Sequence, residues 1–541
     1  MPGDSSQSVN VGRYLPAAAA RTPERVAIVA ADGRGGWRRV RYRQLDDRAS
    51  AIAHGLTSQG FARGETALVM VRAGVELITL TYALFKAGIV PVLIDPGMGL
   101  RAFLRCVERT RPTALIGVWL AHAVRSLFPA TFASVRRTVR VGGGWPWLGP
   151  TLEQLAREGG PHGAFPLADT ADAEMAAVLF TSGSTGPAKG AVYTHGNFEA
   201  QVRILRETYG FASGEVDLAA FPLFSLFDCA FSMTSVIPEL DPARPARCDP
   251  AKVIAAIREH GATTAFGSPA IWKRVAPWCL ARGERLPGLR RVLIAGASVP
   301  PRLIEQLQGL LDPGAEVATP YGATEALPVA SIGGREVVGE TAARSGQGAG
   351  TCVGRPVVGT EVRIVGISDE AIDSWSDVRE CPDGEVGEIC VRGPVVTRSY
   401  HNMQQATLRS KIRDGDSVWH RMGDLGYRDS DGRLWFCGRK SERVETAQGL
   451  RYTDCVEGIF SAHPRVSRCA LVGVGGAGRQ RPVLVVEGEE DPPLARELTG
   501  WGHVEAVLFH RRLPVDVRHN AKIDRRTLSR WAERRLGSRW P

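Results

Sequence analysis

The sequence predicts an α/β protein: a large N-terminal domain of two helix-covered sheets plus a small β-rich unit, then a small mobile α+β C-terminal domain. Three observations carry that prediction. From about residue 25 to residue 320, short β-rich runs alternate with helical ones. Near Gly339 the rhythm stops, and strands follow without helices between them. After Gly438 a charged run, Arg439-Lys440-Ser441-Glu442-Arg443, precedes a last segment of about a hundred residues, long enough for its own domain. The expected boundaries are 1–438 for the large domain, 439–443 for a hinge and 444–541 for a C-terminal lid domain.

In chain order, 26–30 reads as a strand and 45–59 as a helix, and 66–71, 75–87 and 89–94 repeat strand, helix, strand. The stretch 77–94 is the most apolar, but Lys86, Gly88 and Pro91 interrupt it, so it reads as a buried helix and strand, not a membrane span. The rhythm returns with strands at 176–181, 263–266 and 291–295 and helices at 253–260 and 271–281. Strands separated by helices predict parallel sheets covered by those helices. Residues 339–350 are rich in Gly, Ser and Ala and read as a mobile loop. Beyond them 361–365, 385–392 and 433–436 read as strands of a smaller antiparallel unit. The last segment offers helices near 454–462 and 524–535 around strands near 468–474 and 483–487.

Composition narrows the function classes. With 541 residues, 44% hydrophobic and 23% charged, the chain is a globular protein of several domains, not a disordered or fibrous one. The formal charge is +10, but only seven basic residues are lysine, and the cations are scattered among acids. No basic block with interleaved aromatics is present, which argues against nucleic acid and leaves a weak pull toward anionic partners or membrane surfaces. Ten cysteines contain no C-x-x-C pair, so neither a zinc site nor a disulfide framework is indicated. With a polar N-terminus that lacks a signal pattern, this predicts a cytoplasmic location.

Four motifs carry chemistry. The run Thr181-Ser182-Gly183-Ser184-Thr185-Gly186-Pro187-Ala188-Lys189-Gly190 follows an apolar strand. Its three glycines let backbone approach an anion, and its four hydroxyls and its lysine can cradle phosphate oxygens. It lacks the Walker spacing. In Tyr321-Gly322-Ala323-Thr324-Glu325, a hydroxyl beside a carboxylate at a strand's C-terminal end can hold a phosphate and a magnesium ion together. In Met422-Gly423-Asp424 a carboxylate after glycine can accept both hydroxyls of a ribose. Asn520-Ala521-Lys522-Ile523-Asp524 places another of the scarce lysines near the C-terminus. Gly473-Val474-Gly475-Gly476-Ala477-Gly478 has dinucleotide-site spacing, but Pro482 blocks the helix that should follow, so it reads as a hairpin turn. His195 reads as a cap or core contact.

In this order, over about residues 20 to 530, these motifs resemble the adenylate-forming superfamily of acyl-CoA synthetases, peptide-synthetase adenylation domains and luciferases. The first motif departs from the family pattern only at Pro187-Ala188. The resemblance implies ATP and Mg2+. It implies that Thr181, Ser182, Gly183, Ser184, Thr185, Gly186 and Lys189 hold phosphates, and that Gly296, Ala297 and Ser298 line the adenine. Tyr321, beside Gly322, would stack on that base, Thr324 contact the α-phosphate and Glu325 bind the magnesium. Asp424 would bind the ribose, with Arg439 near ribose or phosphate. Lys522 would stabilise charge as a substrate carboxylate attacks the α-phosphorus.

Three departures narrow the likeness. The family's Phe-His after Pro-Leu is here Phe224-Ser225, the residue following Gly438-Arg439-Lys440 is Ser441, and Asn520-Ala521 precede the final lysine. In thioester formers that aromatic–histidine pair helps place the acyl carboxylate and gate the pantetheine tunnel. The segments 419–426, 434–440 and 518–522 resemble the β-lactone synthetases of bacterial long-chain olefin biosynthesis. This implies a β-hydroxy acid with long alkyl chains, a 2-alkyl-3-hydroxyalkanoic acid. It also implies a cis-β-lactone, AMP and pyrophosphate as products, and assembly with other olefin-pathway enzymes. The alternatives are a long-chain acyl-CoA ligase and a non-catalytic acyl- or nucleotide-binding protein. His420 and His519 lie in the relevant motifs, with a structural role for each equally open. Phe224, Phe227, Phe266, Trp272 and Ala323 are candidate pocket residues.

Overall fold

The computed structural model describes residues 8–181, 188–515 and 523–537. The expected alternation is present, arranged in two large sheets. The first has six strands in the order Arg137–Arg140, Ala114–Gly117, Thr66–Met70, Val90–Leu93, Met175–Thr181, Lys189–Thr194. All neighbours are parallel except the last pair, an antiparallel hairpin whose connection is the phosphate-loop segment. Helices Leu100–Thr110 and Trp119–Leu127 cover one face through Phe103, Val107 and Ala121, which pack on Leu68, Leu115 and Val178.

The second sheet contains the expected small β-rich unit as one of its ends. Its parallel part, Val216–Ala219, Thr234–Ile237, Thr264–Gly267, Arg291–Ile294 and Glu316–Ala323, continues through Ala326–Gly333 and Thr351–Pro356 into the antiparallel strands. The strands Glu361–Val365, Gly387–Arg392, Ser417–Arg428 and Leu434–Arg439 are one end of the same fourteen-stranded sheet. A short helix, Gln404–Ser410, also interrupts the expected helix-free run.

The expected mobile loop at 339–350 is instead mostly helical. Gly334–Glu336, Val337–Thr341 and Ala342–Gly346 form successive α, π and α turns. Val337 and Thr341 are buried, and Val337 joins the core around Trp272 and Trp435. Tertiary burial outweighs the weak helix propensity of glycine and serine there.

Beyond the charged run 439–443, a three-stranded sheet of Cys469–Val474, Arg481–Glu487 and Ala506–His510 packs with helices Thr453–Ser461, Pro492–Thr499 and Arg525–Leu536. The glycine-rich run 473–478 joins an antiparallel pair, with Val474 opposite Arg481, and so is a hairpin turn. His195 is buried and its Nδ1 accepts the Val11 N–H at 3.2 Å, a core contact; Thr194 is the helix cap. All ten cysteines are free. Among the described residues no helix is long and apolar enough to cross a membrane.

One buried acid pair sits in the core of the second sheet. Asp217, on the Val216–Ala219 strand, and Asp228, in the helix Ser225–Phe231, are both fully buried and neighbour each other. Burial, then the neighbouring carboxylate, pushes Asp228 well above the usual carboxylate range, and burial raises Asp217 as well. The folded chain therefore holds a proton that the unfolded chain releases above about pH 4. That stability is present at low pH and lost as pH rises through the folded value. Denaturant unfolding should weaken by about 1.4 kcal/mol per pH unit over part of the range above about pH 4. Asp228→Asn should flatten this slope, and an unchanged slope would show that the pair is ionised in the fold.

Candidate active site

The carboxyl ends of the parallel strands of both sheets open into one cavity of about 2020 Å3. Open α/β sheets place ligands at this edge. Its polar end is built on a hairpin. Glu316–Ala323 and Ala326–Gly333 pair antiparallel, with Ala323 opposite Ala326, so Thr324 and Glu325 form the tip. A side chain at Gly322 would meet the Ala326 carbonyl at 2.6 Å, so the close approach requires glycine. The Tyr193 hydroxyl donates to the Thr324 carbonyl at 2.5 Å, and the Thr397 N–H donates to the Glu325 carbonyl at 2.9 Å.

Glu325 is buried at the cavity wall, where its Oε1 accepts the Tyr400 hydroxyl at 2.7 Å. Lys189 Nζ lies 5.0 Å from the centre of the Tyr400 ring. Burial lowers its pKa, an effect the Glu325 carboxylate partly offsets. Lys411 was not singled out from sequence. It is buried on the Lys411–Asp414 strand, with Nζ 6.0 Å from the Tyr400 ring and donating to Thr397 Oγ1 at 3.3 Å. Burial lowers its pKa to about 7, and the Lys189 charge pushes the same way. Its scarcity was the available signal, since the chain has seven lysines and two meet here. Two ammonium groups beside one carboxylate give this end a positive bias suited to a polyphosphate. Among the described residues no three or more His, Cys, Asp or Glu gather as a metal cage. A magnesium ion held by one carboxylate and substrate phosphates needs none, so Glu325 fits the group.

A second cluster adjoins this end, where Gly423 and Arg439 line the cavity and Tyr321 and Asp424 do not. Asp424 lies opposite Arg439 on paired strands, follows Gly423 at φ +67°, and is almost fully buried. Its Oδ2 accepts the Tyr321 hydroxyl at 2.6 Å and its Oδ1 meets Arg439 Nη1 at 2.7 Å. Burial and Asp424 hold the Tyr321 phenol well above its usual value, so it stays a donor. Gly296, with φ +97°, lines the cavity after the strand Arg291–Ile294, and Ala297 and Ser298 follow in the same partly exposed turn. Thr181 pairs with Lys189 through backbone. Ser182, Gly183, Ser184, Thr185, Gly186, His519 and Lys522 lie outside the described residues.

The rest of the cavity is apolar. Phe224 and Phe266 stack face to face with centroids 4.4 Å apart, and Phe227 and Ala323 also line it. Trp272 is fully buried core away from the lining, contrary to its candidacy. Ser225 is fully buried, with Oγ 2.6 Å from Ser235 Oγ, on the core side of its helix. His420 is buried opposite Lys411, its Nδ1 3.1 Å from the Ser410 carbonyl. Burial and the Lys411 charge keep its pKa well below normal, so the ring is neutral near pH 7.

Near the charged run 439–443, Glu388 is fully buried and Oε2 takes Arg421 at 2.6 Å and Lys440 at 3.0 Å. Across the run, Arg525 pairs with Glu442 and Glu457, each at 2.8 Å.

Comparison with known proteins agrees with this geometry. Residues 15–401 match the family described as AMP-binding enzyme. The chain is 46% identical to an olefin β-lactone synthetase of Xanthomonas campestris pv. campestris, over 97% of both chains. It is 46% identical to that of Stenotrophomonas maltophilia, over 98% of this chain and 99% of the relative. ATP-bound MatB from Rhodopseudomonas palustris has a TM-score of 0.78 at 21% identity, covering 98% of this chain and 100% of that one. The o-succinylbenzoate CoA synthetase of Bacillus subtilis, in complex with ATP and a magnesium ion, has a TM-score of 0.73 at 23% identity, covering 95% and 98%. These two likenesses show the fold.

The Tyr400 hydroxyl should orient the Glu325 carboxylate. Tyr400→Phe should raise the magnesium concentration for half-maximal ATP-dependent turnover by about tenfold to a hundredfold, as expected for a lost charge-assisted hydrogen bond. An unchanged magnesium titration would remove Tyr400 from that role.

Proposed function

The chain belongs to the AMP-binding enzyme family as an adenylate-forming ligase, and we propose that it is an ATP-dependent β-lactone synthetase acting on a 2-alkyl-3-hydroxyalkanoic acid. The observation that carries this reading is Ser225. Thioester formers of the superfamily place a histidine there, whereas this hydroxyl is bonded to Ser235 inside the core. A nucleophile already inside the substrate needs no second entrance.

The first step joins the substrate carboxylate oxygen to the α-phosphorus of ATP and expels pyrophosphate. In this reading Lys189, Thr324 and the segment Thr181 to Gly186 hold the phosphates. Asp424, flanked by Tyr321 and Arg439, holds the ribose, and Gly296, Ala297 and Ser298 border the adenine beside Tyr321. Glu325 would hold Mg2+, which neutralises phosphate charge. Lys522 would bring a further ammonium to the α-phosphate as charge develops. In the second step the β-hydroxyl oxygen attacks the acyl carbon, AMP leaves and the hydroxyl proton is released. Holding that oxygen in reach contributes up to about 7–11 kcal/mol in the best intramolecular systems. That helps the activated mixed anhydride overcome ring strain.

Residues 439–443 serve in this reading as the hinge between a 1–438 domain and a 444–541 lid, and closure would deliver Lys522. One fixed lid angle in structures with an acyl-adenylate analogue and with product would remove that movement. The reading also places the enzyme in the cytoplasm, in assembly with other olefin-pathway enzymes.

The decisive experiment omits CoA. Purified protein with ATP, magnesium and a synthetic 2-alkyl-3-hydroxy acid should yield oxetanone ring signals in the proton NMR spectrum, with AMP in equal amount. Thioester on adding CoA, and no lactone without it, would assign the chain to the acyl-CoA ligases. Lys522→Ala should slow AMP release by about a hundredfold or more.

A further inference from the structure

Charge is distributed unevenly over the molecule. Between residues 98 and 150 there are eight arginines and one acidic residue, Glu108, so this stretch carries +7 of the chain's +10. In the linear sequence these arginines look dispersed. The fold gathers four of them, Arg101, Arg105, Arg109 and Arg125, because helices Leu100–Thr110 and Trp119–Leu127 lie on the same face of the six-stranded sheet, over one shared apolar cluster, whereas Arg137 pairs with Glu65 and Arg140 is buried on backbone carbonyls. Arg101 and Arg105 are exposed on the first of these helices, and Arg125 is half-buried on the second.

The same face carries unpartnered aromatic surface. Trp145 and Trp147 are 62% and 74% exposed and stack on each other at 5.3 Å, in the loop after the edge strand Arg137–Arg140. That loop abuts the second helix, since a side chain at Gly144 would stand 3.6 Å from the Cβ of Trp119. Trp119 and Leu120 are themselves exposed. Scattered exposed apolar residues need no explanation, but a contiguous patch of three tryptophans does. Tryptophan bears an apolar body and a polar N–H, and it concentrates where hydrocarbon meets headgroups.

The patch also continues inward. Leu100 and Leu120 are exposed and at the same time line the cavity, followed by Phe103 and Val124. A ligand with alkyl chains can thus move from this face to the site along apolar side chains without crossing a charged group of the polar end.

We propose that this face docks the enzyme on an anionic lipid surface, with the tryptophans in the headgroup layer and the arginines on the lipid charges. Long-chain substrate then enters, or product leaves, along the wall from Leu120 to Phe103. The route rests on the proposed long-chain substrate; the docking does not.

The test is flotation of the full-length protein with vesicles of phosphatidylcholine alone or mixed with phosphatidylglycerol. The wild type should float with the mixed vesicles at low salt and be released as salt rises, since headgroup attraction is screened. The variant Trp145→Ser/Trp147→Ser should lose about tenfold in bound fraction at limiting lipid. It should keep its thermal midpoint and its turnover of a short-chain, water-soluble hydroxy acid. Arg101→Glu/Arg105→Glu should abolish the preference for phosphatidylglycerol. Equal flotation of variants and wild type, or no flotation at all, overturns the proposal. So does a dimer in light scattering that only the tryptophan variant dissociates, since the patch is then covered by a second copy. A chain that floats but makes no lactone would refute the proposed reaction and leave the docking intact.

Discussion

The polar end of the cavity depends on a two-residue hairpin tip. There the large sheet changes from parallel to antiparallel toward its β-rich end, and there Thr324 and Glu325 project together into the cavity. Gly322 allows the return strand to approach, and Tyr193 and Thr397 fix the tip's two carbonyls from either side. A shift of one residue along the hairpin would turn the side chains to the other face of the sheet.

Two clusters of buried charge are balanced in opposite ways. Glu388 has two cations on one oxygen, and one of them, Lys440, belongs to the charged run 439–443. Removing a single partner from such a group leaves an uncompensated charge, typically at a cost of about 3–5 kcal/mol. The run is therefore anchored at its first residues to the large sheet, while Glu442 at its far end is held by Arg525 of the C-terminal helix. Around Tyr400 the opposite holds. Lys189 and Lys411 crowd one carboxylate, and burial lowers the pKa of both. A bound polyphosphate would relieve what the protein alone leaves unbalanced.

Much of this was legible in the sequence because it is written in local signals. Alternation of strand and helix, the turn glycines and the spacing of Tyr321 to Glu325 depend on near neighbours, and the elements lie within a few residues of their expected bounds. The segment 339–350 was misread because its helical turns are held by burial of Val337 and Thr341 against distant residues, and its composition carries no trace of that. Lys411 escaped notice for the same reason. It meets Tyr400 through strand pairing, and nothing adjacent to it suggests an anion site. The continuity of the two sheet regions rests on the pairing of Ala326–Gly333 with Thr351–Pro356, across the very stretch that was misread.

The walls of the cavity have a different origin from its polar end. Part of its apolar lining comes from helices, at Leu100, Leu120, Leu205 and Phe227, with Phe266 and Ala323 added from strands, whereas Lys189, Thr324, Glu325 and Arg439 sit on strands or their tips. The helices of that lining carry none of these polar residues. Mutations in the helices can therefore lengthen, shorten or reshape the space for a hydrocarbon chain while the strands keep their geometry. Lineages with this fold can change diet without relearning how to activate a carboxylate.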